Sequence, residues 1–183
     1  MDKLSFTPLR TIALIGMPAS GKSSAGALLA KRLYMPFTDS DAMMVKESGM
    51  SIADYFTKFG ESKFRTLERA TIEKILAGAP CVAALGGGAF MNPEMRALLK
   101  RYAVTVWIKA DKAVLLERAM RHGGRPLLAG DPAARLTALQ TEREPVYAEA
   151  DISAETGTHP LDVTVDRIVK ALEGCARAKE TTK

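Results

Sequence analysis

A chain of 183 residues with 47% hydrophobic and 26% charged residues has the length of one domain and enough apolar content to give it a core. It contains no run of about 18 apolar residues to cross a bilayer, and its opening MDKLSFTPLR is too polar for a secretory leader, so a cytoplasmic protein with no membrane partner is expected. The net charge of +5 suits anionic ligands, and Arg177, Lys179 and Lys183 against Glu180 place part of it in the last residues; this is not the dense basic stripe of a nucleic-acid binder.

Residues 10–16 (RTIALIG) form a short apolar run ending at glycine, the pattern of a strand buried on both faces. Directly behind it stands Gly16-Met17-Pro18-Ala19-Ser20-Gly21-Lys22-Ser23, a full G-x-x-x-x-G-K-[ST] match. The glycines permit a turn in which successive amides face one anion. A helix over 21–34, with Ala25, Leu28, Leu29 and Leu33 on one face, adds its positive end. Lys22 can reach the β- and γ-phosphates of a nucleotide, and the Ser23 hydroxyl can ligate Mg²⁺. The loop leaves the reaction open, because GTPases, ATPases and small-molecule kinases share it.

A second short strand over 36–39 leads into Asp39-Ser40-Asp41, two carboxylates at a strand end, where α/β proteins bind ligands. One can order a Mg²⁺ shell and the other can accept a proton from an attacking hydroxyl; alternatively, Asp41 caps the next helix. Helices are predicted over 41–48, 51–58 and 61–77, with Ser51 and Asp54 as a capping-box-like pair and Gly60 preceding the third. In that third helix Arg65 and Glu68 lie three apart on one face. They read either as a surface ion pair or as a carboxylate holding a guanidinium ready for a substrate carboxylate.

A strand over 80–85 runs into Gly86-Gly87-Gly88, which fits either close backbone approach to a ligand or a plain turn. Pro93 opens a helix to about Lys100, and 103–108 (AVTVWI) is a further buried strand. Asp111 caps a helix carrying Val114, Leu115 and Ala119 inward. The glycine- and arginine-rich stretch 121–131 reads as a lid or as an idle surface loop. A helix over 132–148, a strand near 150–153 and a closing helix over 161–173 precede a frayed tail of about 174–183. Cys81 and Cys175 read as free thiols, Cys81 within a strand, and with His122 and His159 they lack zinc spacing; His159 reads as a solvent-facing loop residue. Strands alternating with helices predict a parallel sheet covered on both faces. No repeat or long linker divides the chain.

GMPASGKS, PFTDSD, GESKFRTLE, LGGGA, RPLLAG and REPVY stand in the order and spacing of the shikimate kinase family, which the chain resembles from about Thr11 to Leu172. The first motif belongs to all P-loop proteins; D-x-D, F-R-x-x-E, G-G-G and R-P-L together are specific. The resemblance implies a nucleoside-monophosphate-kinase-like fold: a three-layer αβα sandwich around a five-stranded parallel sheet, with a mobile lid. Length and the lack of a linker give one domain over 1–183, with its core at about 10–173, and no exposed apolar run demands a partner, so a monomer is expected. The resemblance implies transfer of the γ-phosphoryl group of ATP to the 3-hydroxyl of shikimate, with Mg²⁺, on the route to chorismate and the aromatic amino acids.

Carried over residue by residue, the resemblance makes Lys22, Asp41 and Arg125 catalytic, with Asp41 the base and Arg125 the lid residue over the phosphates. ATP would be held by Gly16, Ala19, Ser20, Gly21, Lys22, Ser23 and Ser24, with Arg118 and Pro160 on either side of adenine and Thr158 in the adjoining loop. Ser23, and Asp39 through water, would hold Mg²⁺. Shikimate would meet Asp41, the Arg65 and Arg143 guanidinium groups, the backbone of Gly86, Gly87 and Gly88, and apolar walls from Phe56 and Phe64. One departure is Val45, where the family often has a glutamate; the adenine loop Thr156–Pro160 is a weak match. The rivals are a P-loop kinase acting on gluconate or a nucleoside monophosphate, and a non-catalytic nucleotide sensor. The sensor predicts loss of Lys22, Asp39, Asp41 or Arg125, and all four are present.

Overall fold

The structure, a computed structural model, describes residues 10–121 and 131–180. The predicted lid, and Arg125 with it, lies outside these residues apart from its two end positions. The strands are β1 (Thr11–Ile15), β2 (Phe37–Asp39), β3 (Val82–Ala84), β4 (Ala103–Ala110) and β5 (Ile152–Thr156). The helices are α1 (Lys22–Leu33), α2 (Ser40–Ser48), α3 (Ile52–Ala77), α4 (Pro93–Tyr102), α5 (Lys112–Arg121), α6 (Pro132–Tyr147) and α7 (Leu161–Glu180). The five strands form one sheet in the order β2-β3-β1-β4-β5, every neighbouring pair parallel.

All five residues of β1 are buried because helices cover both faces of the central strand. Ala13, Ile15, Ala83 and Trp107 face one way, against Ile72 of α3, Leu99 of α4, Leu115 of α5 and Leu136 of α6. Ile12, Leu14, Val82 and Val106 face the other, against Leu29 and Leu33 of α1 and Val165, Ile168 and Leu172 of α7. The result is the expected three-layer αβα sandwich. The chain leaves β1 on one side for β2 and returns on the other for β4, so the tip of β1 borders the crevice where such sheets take ligands.

The helices predicted over 51–58 and 61–77 both form, and they meet within α3 at a kink at Gly60, whose φ of 78° and ψ of 175° suit only glycine. Three local expectations are corrected. The last strand starts at Ile152, not near 150, because Asp151 is already committed. Its carboxylate accepts from the Thr105 amide at 2.8 Å and hydroxyl at 2.7 Å, while its own amide donates to Thr105 Oγ1. The closing helix runs on to Glu180 instead of fraying after 173; Leu172 and Cys175 still pack on the core, and the alanines, lysine and glutamate beyond are strong helix formers. Finally, α2 is capped by Asp39, whose side chain accepts from the amides of Asp41 and Ala42, so Asp41 is not the cap.

Candidate active site

At the tip of β1 the chain turns through the phosphate loop. A β-carbon on Gly16 would stand 2.6 Å from the Ile108 carbonyl of β4, at a φ of 141°, so only glycine fits between the two strands. Ala19 (φ 65°) and Gly21 (φ 89°) are also left-handed, which turns the loop into the start of α1. Lys22 Nζ arches back over the loop and donates to the carbonyls of Gly16 at 3.1 Å and Met17 at 2.9 Å. Ser23 and Ser24 follow on the exposed first turn of α1, and Ser20 is buried. Ser23 Oγ donates to Asp39 Oδ2 at 2.6 Å, while Asp39 Oδ1 caps α2. One carboxylate thus fixes α2 and the mouth of the loop together.

The triglycine turn follows β3, which lies between β2 and β1 in the sheet, and charged groups crowd against all three of its residues. A β-carbon on Gly86 would lie 2.9 Å from Glu68 Oε1 and 3.0 Å from Asp41 Oδ1. On Gly87 it would lie 3.3 Å from the Gly16 carbonyl and 3.4 Å from Arg143 Nη1; on Gly88, 2.7 Å from Arg65 Nη1. The turn therefore abuts the phosphate loop and carries two carboxylates and two guanidinium groups around it. Ser40 Oγ accepts from the Gly86 amide at 3.0 Å and fixes the turn. Asp41 is solvent-exposed.

Arg65 donates to Glu68 Oε2 at 2.8 Å and contacts Glu61 at 3.4 Å. Glu68 is 5% exposed, which rules out the surface-pair alternative. Its carboxyl is held above the ordinary range, first by burial, with Asp41 adding to the effect and Arg65 and Arg143 opposing it. Burial tends to lower the Arg65 guanidinium, but Glu68 and Glu61 outweigh it and raise it. Arginine stays charged at any working pH, so the titration of the pair is that of Glu68. The folded state accordingly binds this proton more tightly than the unfolded chain. The site contributes most stability below the ordinary carboxylate pKa and loses it as pH rises through the raised one. Glu68→Gln should therefore match or exceed the wild-type Tm at pH 7, and the advantage should vanish near pH 4. Thermal unfolding at both pH values checks this; a variant that lost more stability at pH 7 than at pH 4 would contradict it.

Phe64 is buried and Phe56 is 43% exposed; their rings meet edge-on at 5.7 Å, with the Arg65 guanidinium 5.3 Å from the Phe64 ring. Val45 is exposed on α2 and brings no polar group to the site. On the far side of the phosphate loop, Arg118 donates to the Ser20 carbonyl at 3.2 Å and to Gly157 at 2.8 Å. This links the loop to the segment holding Thr158 and Pro160, both exposed. His159 is not merely solvent-facing: it is half-buried, and its Nε2 pairs with the buried Thr164 hydroxyl at 3.0 Å. The structure brings every predicted site residue within the described segments to one sheet edge, in two groups around the P-loop. Tyr147 was missed. Its only sequence signal is the last letter of REPVY, yet it is fully buried and donates to the Gly87 carbonyl.

A parallel sheet in this order, with a G-x-x-x-x-G-K-S loop at the tip of β1, defines a P-loop kinase of the nucleoside-monophosphate-kinase-like class. A family model described as shikimate kinase matches residues 18–173. Among curated relatives, the shikimate kinase of Paramagnetospirillum magneticum is 46% identical over 164 residues, covering 89% of this chain and 84% of that protein. The shikimate kinase of Caulobacter vibrioides is 45% identical, covering 93% and 86%. Of solved structures, shikimate kinase from Acinetobacter baumannii in complex with shikimate superposes with a TM-score of 0.84 at 30% identity, over 96% of this chain and 97% of that one. A gluconokinase from Sinorhizobium meliloti shares the fold at 19% identity with a TM-score of 0.64, over 96% and 98%. This chain belongs to the shikimate kinase family.

Proposed function

We propose that this chain, as a single domain, transfers the γ-phosphoryl group of ATP to the 3-hydroxyl of shikimate, giving shikimate 3-phosphate and ADP. The observation that carries the reading is the convergence of Asp41, Arg65, Glu68 and Arg143 on a glycine turn that touches the phosphate loop. A relative solved with shikimate at 30% identity supports it.

Phosphoryl transfer requires of a protein mainly positioning and charge compensation. Arg65 and Arg143 grip the carboxylate of the acceptor and place its ring over Gly86, Gly87 and Gly88, against Phe56 and Phe64. Asp41, in the open crevice, orients the 3-hydroxyl. As that oxygen bonds to the γ-phosphorus, the bond from phosphorus to the β–γ bridging oxygen breaks, ADP leaves with its electron pair, and Asp41 takes the hydroxyl proton. Lys22 and the amides of Gly16, Ala19, Ser20, Gly21, Ser23 and Ser24 hold the phosphates. Arg118 and Pro160 flank adenine, with Thr158 beside them. Arg125, outside the described residues, is assigned to the phosphates by its place in the R-P-L motif.

Ser23 Oγ and Asp39 Oδ2 are hard oxygen donors at one point, which fits Mg²⁺, an ion that keeps waters and phosphate oxygens as its other ligands. Among the described residues no group of three or more His, Cys, Asp or Glu could hold a metal. When bound, Mg²⁺ supplies charge compensation at the phosphates. No described helix is long and apolar enough to cross a membrane; a cytoplasmic monomer is part of the proposal.

Gly88→Ala tests the acceptor side. Its β-carbon would press on the far end of Arg65, a flexible side chain. Stability should change by less than about 1 kcal/mol, while the KM for shikimate rises about tenfold, an effect of about 1.4 kcal/mol on one charge-assisted contact. An unchanged KM would remove Arg65 from the grip. For the function itself, ADP release from ATP and Mg²⁺ is measured with shikimate, gluconate or CMP offered separately. Only shikimate should drive turnover; equal release with gluconate or CMP would overturn the reading.

A further inference from the structure

We infer that Tyr147 is a positioning residue for the acceptor site, tying the Arg143 guanidinium to the triglycine turn through its hydroxyl. The inference rests on the function proposed above. Arg143 and Tyr147 are one turn apart on α6, so both side chains face the same way, and both are buried, at 9% and 0% exposure. The Tyr147 hydroxyl donates to the carbonyl of Gly87, sixty residues earlier in the chain. A phenol oxygen also accepts, and the Arg143 guanidinium stands at the same turn, its Nη1 3.4 Å from a β-carbon on Gly87, where it interacts with the phenol. Hydroxyl, guanidinium and carbonyl thus meet at one residue.

Burial holds the phenol above its ordinary range despite Arg143, so it remains a neutral donor at working pH. Among the described residues Arg143 Nε has no hydrogen-bond partner, which leaves that edge of the guanidinium unfixed. The Tyr147 ring lies 6.0 Å from that of Trp107, and Trp107 Cδ1 would be 3.4 Å from a β-carbon on Gly16. Tyr147 therefore stands where the phosphate loop and the acceptor turn meet. A core tyrosine that merely satisfies its own hydroxyl would affect folding alone; a positioning residue affects one substrate and not the other.

Tyr147→Phe keeps the ring on Trp107 and removes the hydroxyl. In a folded variant the shikimate KM should rise about tenfold, with kcat within about twofold and the ATP KM unchanged. In an Arg143→Lys background the same change should add less than about twofold, since the two act as one unit. A wild-type shikimate KM, or an equal loss on the ATP side, would overturn the inference. If the variant does not fold, the wild-type chain carrying 3-fluorotyrosine is read by ¹⁹F NMR. The resonance shielded from a paramagnetic agent in solvent should shift with shikimate, and its failure to move would overturn the inference equally. If wild-type enzyme shows no turnover with shikimate in the same assay, the proposed function fails instead.

Discussion

Asp41→Asn should lower kcat by about 10²–10⁴-fold, the usual range for a lost general base, with ATP binding nearly unchanged. Asp41 is exposed at the start of α2, and its Oδ1 would sit 3.0 Å from a β-carbon on Gly86, where the acceptor lies in our account. The helix cap belongs to Asp39, so the substitution leaves the start of α2 intact. The Asp39 link to Ser23 is also untouched, which keeps the nucleotide side whole. Asparagine preserves shape and can still accept a hydrogen bond from the hydroxyl, but it cannot take the proton. Steady-state kinetics with ATP titration separate these effects. Near-normal kcat in the variant would remove Asp41 as base, and a large rise in ATP Kd would show that the residue serves the other substrate.

Arg65→Ala should raise the shikimate KM by roughly 30- to 160-fold, about 2–3 kcal/mol for a lost charge-assisted contact. The effect on kcat should be smaller, because the carboxylate lies away from the reacting hydroxyl and its binding energy serves to place the acceptor. One complication is physical: the substitution removes the main partner of Glu68, which is 7% exposed at its side chain. A buried carboxylate without its cation destabilises the fold. The double variant Arg65→Ala/Glu68→Gln removes that penalty and should recover Tm without recovering KM. A shikimate KM that stayed at the wild-type value in either variant would discredit Arg65 as a ligand of the carboxylate.

What the residues reveal by themselves is local. The apolar run 11–15, the loop behind it and the capping pair at Ser51 and Asp54 are legible because each is set by residues adjacent in sequence; in the fold Ser51 Oγ does accept from the Asp54 amide at 3.1 Å. That Asp39 and not Asp41 caps α2 was not legible, since it depends on whether the chain is still extended at 39, where φ is −122°. The start of β5 was misjudged because Asp151 reaches 46 residues back to Thr105. Likewise the end of α7 was lost in a polar stretch, because helix formers without an apolar stripe look like a tail.

The acceptor side illustrates the same limit more sharply. Arg65 and Glu68 were visible as a pair, but whether they lay on the surface could not be read from spacing; it depends on α3 packing Glu68 toward Gly86. Only the resemblance to the shikimate kinase family joined Asp41, the glycines and Arg143, which are separated by over a hundred residues in sequence and meet through the parallel strand order. Tyr147 had no such help. A tyrosine near the end of an amphipathic helix reads as core, and its partner at Gly87 is found only in three dimensions.

The central claim is tested most directly by the product. With ATP, Mg²⁺ and shikimate, ³¹P and ¹H NMR of the reaction should show one new phosphate ester, coupled to the proton on carbon 3 of the shikimate ring, growing in step with ADP. ADP formed without a phosphorylated acid, or an ester at another hydroxyl, would contradict the placement of the acceptor between Asp41 and the two arginines.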